Sequence, residues 1–358
     1  MNIVEATTSY ERWMRSCTTL VEPHLQSKHA QMKDALFSFF RGSFYRWAQL
    51  FPELCPDLRS DPKVVGVGDL HVSSFGTWRD SEGRLCWGVD DFDESYPLPF
   101  SNDLVRLATS LKIVDDSGAL TLKFKGGCDI LLDSYRDTLK RGGRPIVLAE
   151  HESSMEKLGI AAIKPPKDFW SKLLDRPAVN RAVPSDARTA LAKMMPAKLE
   201  GKIVRREAGM GSLGQRRFVA VAEWNGGCVA REAKAMVPSA YVWLGGARIQ
   251  RQSFYEKTMQ SAVRSHDPFQ KIVGRWLIRR LSPDSNPVEI EDLPKERDES
   301  TLLHAMGCET ANVHLGSKRA VKAILRNLDQ KKASWLRSSA KEMAKAVERE
   351  WKEYAKSG

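Results

Sequence analysis

The sequence holds no apolar run approaching the roughly 18 to 20 residues that a membrane-spanning helix needs. Its six cysteines, at 17, 55, 86, 128, 228 and 308, include no Cys-x-x-Cys pair. That scatter supports neither a zinc site nor a disulfide framework, and fits reduced thiols. The opening MNIVEATTSYERW has neither the basic region nor the apolar stretch of a secretory signal. These absences set the expectation of a cytoplasmic globular protein with no membrane span. Acids are also scarce: 45 Asp and Glu stand against 56 Lys and Arg, a formal net charge of +11. Such a surplus attracts nucleic acid, an anionic membrane face or a phosphorylated substrate. The basic residues form no long block and no basic–aromatic motif, so a generic basic surface is the plainest reading and nucleic-acid binding a lesser one.

What is present centres on residues 64–110. Val64 to Val67 reads as a strand that delivers Gly68-Asp69-Leu70-His71. A hairpin follows, with Gly76 to Trp78 and Leu85 to Val89 joined at Asp80-Ser81-Glu82-Gly83. Its second strand ends in Asp90-Asp91-Phe92-Asp93-Glu94. Acids at the mouths of two neighbouring strands converge readily on Mg²⁺ or Mn²⁺, which favour hard oxygen ligands. A single Asp in a turn is ordinarily just polar surface; Asp-x-His and Asp-Asp-Phe-Asp, each ending a strand, point to chemistry. Metallophosphoesterases also begin with Asp-x-His after a strand, which would make Asp69 and His71 metal ligands. Their further Gly-Asp and Gly-Asn-His motifs are missing here.

Around this centre, residues 1–60 read as helical. Trp13, Cys17, Leu20 and Val21 form one apolar stripe, and Ala35, Leu36, Phe39, Phe40 and Phe44 a second. Helices are also expected from Asn102 to Val114, with Asp103 in the first turn, and from Cys128 to Lys140, ending at Gly142-Gly143. The proline-rich residues 164–200 read as an elaboration or connector between lobes. Strands at Ile203 to Glu207 and Arg217 to Trp224 flank Gly209-Met210-Gly211-Ser212-Leu213-Gly214. A glycine turn between two strands brings backbone amides up to phosphate oxygens. With no helix behind it, this turn is not a dinucleotide fingerprint; it fits the phosphate-covering loop of a kinase-like small lobe. The next strand, Cys228 to Ala235, carries Lys234 at the spacing of a phosphate-binding lysine; Glu256, on a helix from Ser253 to Val263, is a candidate partner for it, beside the plainer reading of a solvated helical Glu. A strand from Gly274 to Leu281 leads to a hinge at Ser282 to Pro287, then a helix from Thr301 to His314. The tail from Arg319 to Tyr354 reads as an amphipathic helix docked on its own domain.

The Gly68–His71 segment resembles the catalytic loop of aminoglycoside phosphotransferase and choline kinase relatives, and Asp91-Phe92-Asp93 their metal-binding Asp. Pro99 to Leu104 resembles the segment that braces that loop. From about Phe37 to His314 the chain also resembles a bacterial family of unknown function, DUF2252. The motifs that carry this are Phe39-Phe40-Arg41-Gly42, Gly68 to Gly76, Asp91 to Glu94 and Gly209 to Gly214. The resemblance implies an α+β, two-lobed protein-kinase-like fold in circularly permuted order, with extra N- and C-terminal helices. Permutation is accessible because domain termini often lie close together. The expected parts are an N-terminal helical segment (1–60), a larger lobe (61–200), a β-rich nucleotide lobe (201–295) and C-terminal helices (296–358) completing the larger lobe.

By the same resemblance Asp69 is the catalytic base or orienter, with His71 beside it. Asp91 and Asp93 hold Mg²⁺, with Mn²⁺ possible, and Ser74 is a poorer metal ligand where the family has Asn. Gly209, Gly211, Ser212, Gly214 and Lys234 hold the phosphates of ATP. Arg41 either binds oxyanions or pairs with a structural carboxylate. The implied activity is transfer of phosphate from ATP to a hydroxyl acceptor. A nucleotide-binding pseudokinase, an adenylyl-transferring relative and a basic nucleic-acid-binding protein stay as alternatives.

Overall fold

The computed structural model describes residues 1–150, 163–196, 201–246, 254–287 and 299–357, and its architecture is mixed α and β. Helices α1 (Ile3–Cys17), α2 (Glu22–Asp34), α3 (Leu36–Gly42) and α4 (Phe44–Leu54) open the chain. A reciprocal cap starts α1: the Asn2 side chain accepts from Glu5 N–H, and the Glu5 carboxylate accepts from Asn2 N–H. The fully buried face of α1 is Ile3, Ala6, Tyr10 and Met14, while Trp13, Cys17 and Leu20 of the expected stripe pack against the core only partly buried. Thr18 adopts extended dihedrals and stops the helix, so Leu20 leaves to bridge Gln215. Val21 N–H then donates to the Gly214 carbonyl at 2.7 Å, tying the N-terminal helices to the glycine turn. The second stripe is also split at Ser43, although Phe39, Phe40 and Phe44 all reach the core.

Strand β1 (Lys63–Gly66) leads to β2 (Phe75–Arg79) and β3 (Leu85–Val89), which form the expected antiparallel hairpin. Asp80 Oδ1 accepts from the N–H groups of Glu82 and Arg84 at 3.0 and 2.9 Å, fixing its turn. The strands preceding the two acidic motifs are not neighbours, however. β1 pairs with β4 (Tyr96–Pro99), so β1 and β3 belong to separate two-stranded sheets and their acids meet through loops. Helix α5 (Phe100–Asp116) is buried nearly all round, and α6 (Phe124–Arg141) ends at Gly142 as expected.

Helices α7 (Pro166–Leu174) and α8 (Ser185–Met194) precede a five-stranded antiparallel sheet. Its strands are β5 (Lys202–Arg205), β6 (Arg217–Trp224), β7 (Gly227–Ala235), β8 (Lys271–Val273) and β9 (Trp276–Leu281), in the order β5-β6-β7-β9-β8. Two short helices, α9 (Ala240–Leu244) and α10 (Tyr255–Ser261), lie between β7 and β8. Ser253, the expected start of the second of these, lies outside the described residues. Ala187, Ala190 and Leu191 of α8 cover one face of the sheet with Phe218, Ala233 and Trp276. Leu173 of α7 meets Val204, Val219 and Leu281 on the other. These helices therefore pack with the sheet, not with the 61–200 segment in which the sequence grouped them. Residues 284–287 are stitched to β2: Thr77 N–H donates to the Asn286 carbonyl at 2.9 Å, and Gly76 bridges Pro287.

Helices α11 (Glu299–His314), α12 (Val321–Gln330) and α13 (Trp335–Lys356) end the chain. Leu336, Ala340, Met343, Val347 and Tyr354 of α13 join the main core, so the tail docks on its own chain. No described helix is long and apolar enough to cross a membrane. α11 approaches α6 closely at Gly307, where a Cβ would overlap Ser134 Oγ and lie 2.5 Å from the Leu131 carbonyl oxygen. The carbonyl is fixed backbone, so Gly307→Ala has to push the helices apart. A loss of about 1–3 kcal/mol is expected in urea denaturation. An unchanged midpoint would show that the crossing is looser than described.

Candidate active site

The first loop is built from its backbone outward. Gly68 has φ 82°, and a Cβ there would run into the Glu94 carbonyl, so this glycine lets the two acidic loops touch. Asp103 turns its carboxylate away from its own helix start and accepts from Val67 and Gly68 N–H at 2.6 and 3.0 Å. His314 Nε2 lies 3.0 Å from the same carboxylate, and its Nδ1 2.8 Å from the Tyr135 hydroxyl. An Nε2–H tautomer donating to Asp103 leaves Nδ1 to accept from Tyr135, which serves all three groups. Ser74 Oγ accepts from His71 N–H at 3.0 Å and donates to the Asp69 carbonyl at 3.1 Å, closing the loop on itself.

Asp69 is gripped by Arg106, whose Nε donates to Oδ1 at 2.7 Å and whose Nη2 donates to the same oxygen. Arg106 is fully buried, its guanidinium 4.0 Å from the Phe40 ring centroid and 4.9 Å from those of Phe44 and Trp47. Burial pushes the Asp69 carboxyl up, against the pull of Arg106. His71 stands edge-on to Phe37 and Phe40, with its buried Nδ1 unpartnered. Burial, then Arg41 and Arg106, holds its imidazole well below the usual range, so the ring is neutral at pH 7.

The second loop meets the sheet. Lys234 is almost wholly buried and donates from Nζ to Asp91 Oδ2 at 2.9 Å while pairing with Asp93. Burial opposes the Asp91 charge, but Lys234 overrides it and holds that carboxyl well below the usual range. Burial and the adjacent Asp91 push Asp93 up, and Asp93 Oδ1 is buried without a partner. Burial also raises Asp90 to about 6 and Glu94 to about 8; Glu94 Oε2 accepts from Ala240 N–H at 2.7 Å. No group of three or more potential metal-ligating residues converges among the described residues. Two adjacent carboxylates, one with an orphaned oxygen, still suit Mg²⁺, which commonly takes one or two carboxylates and completes its shell with water and phosphate. Ser74 does not join them, because its hydroxyl is engaged inside the first loop.

Two-residue periodicity puts Arg217, Glu232, Lys234 and Arg279 on one face of the sheet, with Arg217 opposite Lys234 and Glu232 opposite Arg279. Fully buried Glu232 accepts from Arg206 and Arg279 at 2.7 Å and from Arg217 at 3.0 Å. Burial works against its charge, yet the three arginines hold its carboxyl well below the usual range. The glycine turn lies over this face. A Cβ on Gly211 would sit 3.5 Å from Asp69 Oδ2 and 3.4 Å from the Arg41 carbonyl. Ser212 Oγ accepts from Arg217, which keeps it within the turn.

A cavity of about 380 Å³ results, in the range of small-ligand sites. Asp69, His71, Ser74, Asp91, Asp93, Arg41, Gly209, Gly211 and Ser212 all line it, and Lys234 supports it through Asp91. Gly214 does not face it, because it packs against Leu25. Glu256 does not meet Lys234 either; its carboxylate accepts from Ile272 N–H at 3.1 Å. Sequence reasoning missed Lys28, Arg106, Glu232 and Arg279. The alternation Ala-Arg-Glu-Ala-Lys-Ala around Glu232 was a readable signal, because in a strand it places Glu232 and Lys234 on one face. An arginine amid the apolar face of α5 was another.

A family model described as "Uncharacterized protein conserved in bacteria (DUF2252)" matches residues 20–198 and 180–357. The chain belongs to this family. DUF2252 thus takes in both acidic loops, the glycine turn, the sheet and the C-terminal helices. No curated protein and no solved structure matches the chain.

Proposed function

We propose that this DUF2252 protein is an ATP- and Mg²⁺-dependent phosphotransferase with a kinase-like, circularly permuted arrangement, acting on a hydroxyl acceptor. The observation that carries the reading is the meeting of distant segments: Lys234 lies 2.9 Å from Asp91 Oδ2, and Gly211 lies against Asp69. In that order the glycine turn and Lys234 would hold the nucleotide phosphates, with Arg279 adding positive charge. Asp91 and Asp93 would hold Mg²⁺ or Mn²⁺, which supplies charge neutralisation at the phosphates when bound. Asp69 keeps Oδ1 on Arg106 and turns Oδ2 toward the cavity, where it orients the acceptor hydroxyl and takes its proton. The bond from the acceptor oxygen to the γ-phosphorus forms as the bond to the β-phosphate oxygen breaks, and the electron pair leaves with ADP. Neutral His71, which lines the cavity, would hydrogen-bond the acceptor.

Calorimetric titration of ATP with and without Mg²⁺ tests this. Wild type should bind with metal dependence, and Lys234→Ala and Asp91→Ala should each weaken binding by about tenfold or more. No binding to wild type would sink the reading. A second reading, a nucleotide-binding pseudokinase, draws on Ser74, whose hydroxyl closes the loop at the position where the resembled family has Asn. It predicts the same binding with no turnover.

A further inference from the structure

Most charges around the cavity are matched. Asp69 pairs with Arg106, Asp91 and Asp93 with Lys234, and Glu232 with Arg206, Arg217 and Arg279. Lys28 of α2 and Arg41 of α3 reach the same cavity, and neither has an ion-pair partner among the described residues. Lys28 is 4% exposed, and its Nζ donates to the Gly211 carbonyl at 3.1 Å, using one of its three N–H groups. Arg41 Nε is buried without a hydrogen-bond partner, and the guanidinium lies 5.8 Å from the Phe37 ring centroid. Asp90 and Glu94 also lack ion pairs among the described residues, these two cations included, and burial pushes both carboxyls toward the neutral form.

Lys28 and Arg41 lie near the first acidic loop, whereas Lys234 bonds the second. Lys234 and Arg279 act on Asp90 and Asp91. Arg41 acts on Asp69 and His71, while Lys28 feels Glu11, Asp69 and Glu94. Lys28 Nζ bonds the Gly211 carbonyl, and Gly211 lies against Asp69. The Arg41 guanidinium lies by Phe37, whose ring stands edge-on to His71. These two cations therefore stand near Asp69, where an acceptor hydroxyl must lie; Lys164, which also lines the cavity, is exposed. A buried cation without a counter-ion is destabilising by several kcal/mol, so buried Lys28 together with half-buried Arg41, whose Nε is buried and unpartnered, is a ready receptor for an oxyanion.

We infer that Lys28 and Arg41 form an oxyanion subsite beside Asp69, and that the acceptor is a hydroxyl compound carrying a carboxylate or phosphate group. The assignment to an acceptor rests on the phosphotransferase reading; the subsite itself does not. Lys28 and Arg41 are positioning residues for the acceptor, holding its anionic group so that its hydroxyl meets Asp69.

The test titrates inorganic phosphate calorimetrically into the full chain, alone and with saturating Mg²⁺ and a non-hydrolysable ATP analogue. One phosphate should bind in the presence of the analogue, weakened about tenfold or more by Lys28→Met and by Arg41→Gln. Lys352→Met, at a surface lysine of α13 away from the cavity, should bind phosphate as wild type does. Lys28→Met preserves the apolar stem, and Arg41→Gln changes a half-buried wall residue, so either one carries the test if circular dichroism shows the other unfolded. The inference is overturned if wild type binds no phosphate, if the analogue displaces it, or if neither Lys28→Met nor Arg41→Gln weakens it more than Lys352→Met does. If the analogue fails to bind while phosphate still requires Lys28 and Arg41, the phosphotransferase reading falls, and with it the assignment to an acceptor. The subsite then stands.

Discussion

Glu232→Gln should destabilise the protein by about 3–5 kcal/mol, the usual result of stripping the charge from one side of a buried ionic network. Glutamine matches glutamate in shape, so the loss is electrostatic and not a packing defect. Arg206 donates to Oε1, and Arg217 and Arg279 donate to Oε2. In the variant one of those oxygens becomes an amide NH₂, which turns donors toward donors, and three guanidiniums are left around a neutral group. Urea denaturation of the two proteins gives the difference directly.

The pH dependence separates this account from a merely polar one. The folded-state pKa of Glu232 lies well below its ordinary value of 4.5. Its contribution is therefore complete above that value and is lost as pH falls toward the folded-state pKa. The gap between wild type and Glu232→Gln should be flat near neutrality and narrow as pH drops below 4.5. A gap independent of pH would show that the carboxylate charge is not what holds the arginines.

This network also shows where sequence reading reached its limit. Alternation along β7 makes Glu232 and Lys234 share a face, which needs only the two-residue period. Which arginines they meet depends on cross-strand register, and register is set by the whole sheet. That is why Glu256 was a plausible partner for Lys234 on paper, while the structure supplies Asp91 and Asp93 from a loop more than a hundred residues earlier. The local signals did hold: the β2–β3 hairpin, the end of α6 at Gly142 and the α13 stripe each depend on neighbours in sequence. The non-local assumption that β1 and β3 are adjacent did not hold, because β4 follows directly and takes the place beside β1. Lys28 carried little signal. It shares the buried face of a largely polar helix, EPHLQSKHAQMKD, with Leu25 and Met32, where α3 at Gly42 and the glycine turn both close over it.

Asp69→Asn should lower turnover by about 10²- to 10⁴-fold, the scale of a lost general base, while leaving Mg²⁺-dependent nucleotide affinity intact. Affinity should survive because the phosphate and metal groups proposed here, Lys234, Asp91 and Asp93, are bonded to one another and not to Asp69. Stability should not be wholly spared. Asparagine can keep a carbonyl acceptor for Arg106, but the guanidinium is fully buried and loses its counter-charge. A further loss of about 1–3 kcal/mol is expected in denaturation. Activity measured well below the variant's unfolding transition keeps the two effects apart. Unchanged turnover would remove Asp69 from the chemistry. A wild type that binds nucleotide but never turns over would give Asp69 a different meaning: Arg106 and Ser74 would then hold it only to shape the loop, and Asp69→Asn would register in stability alone.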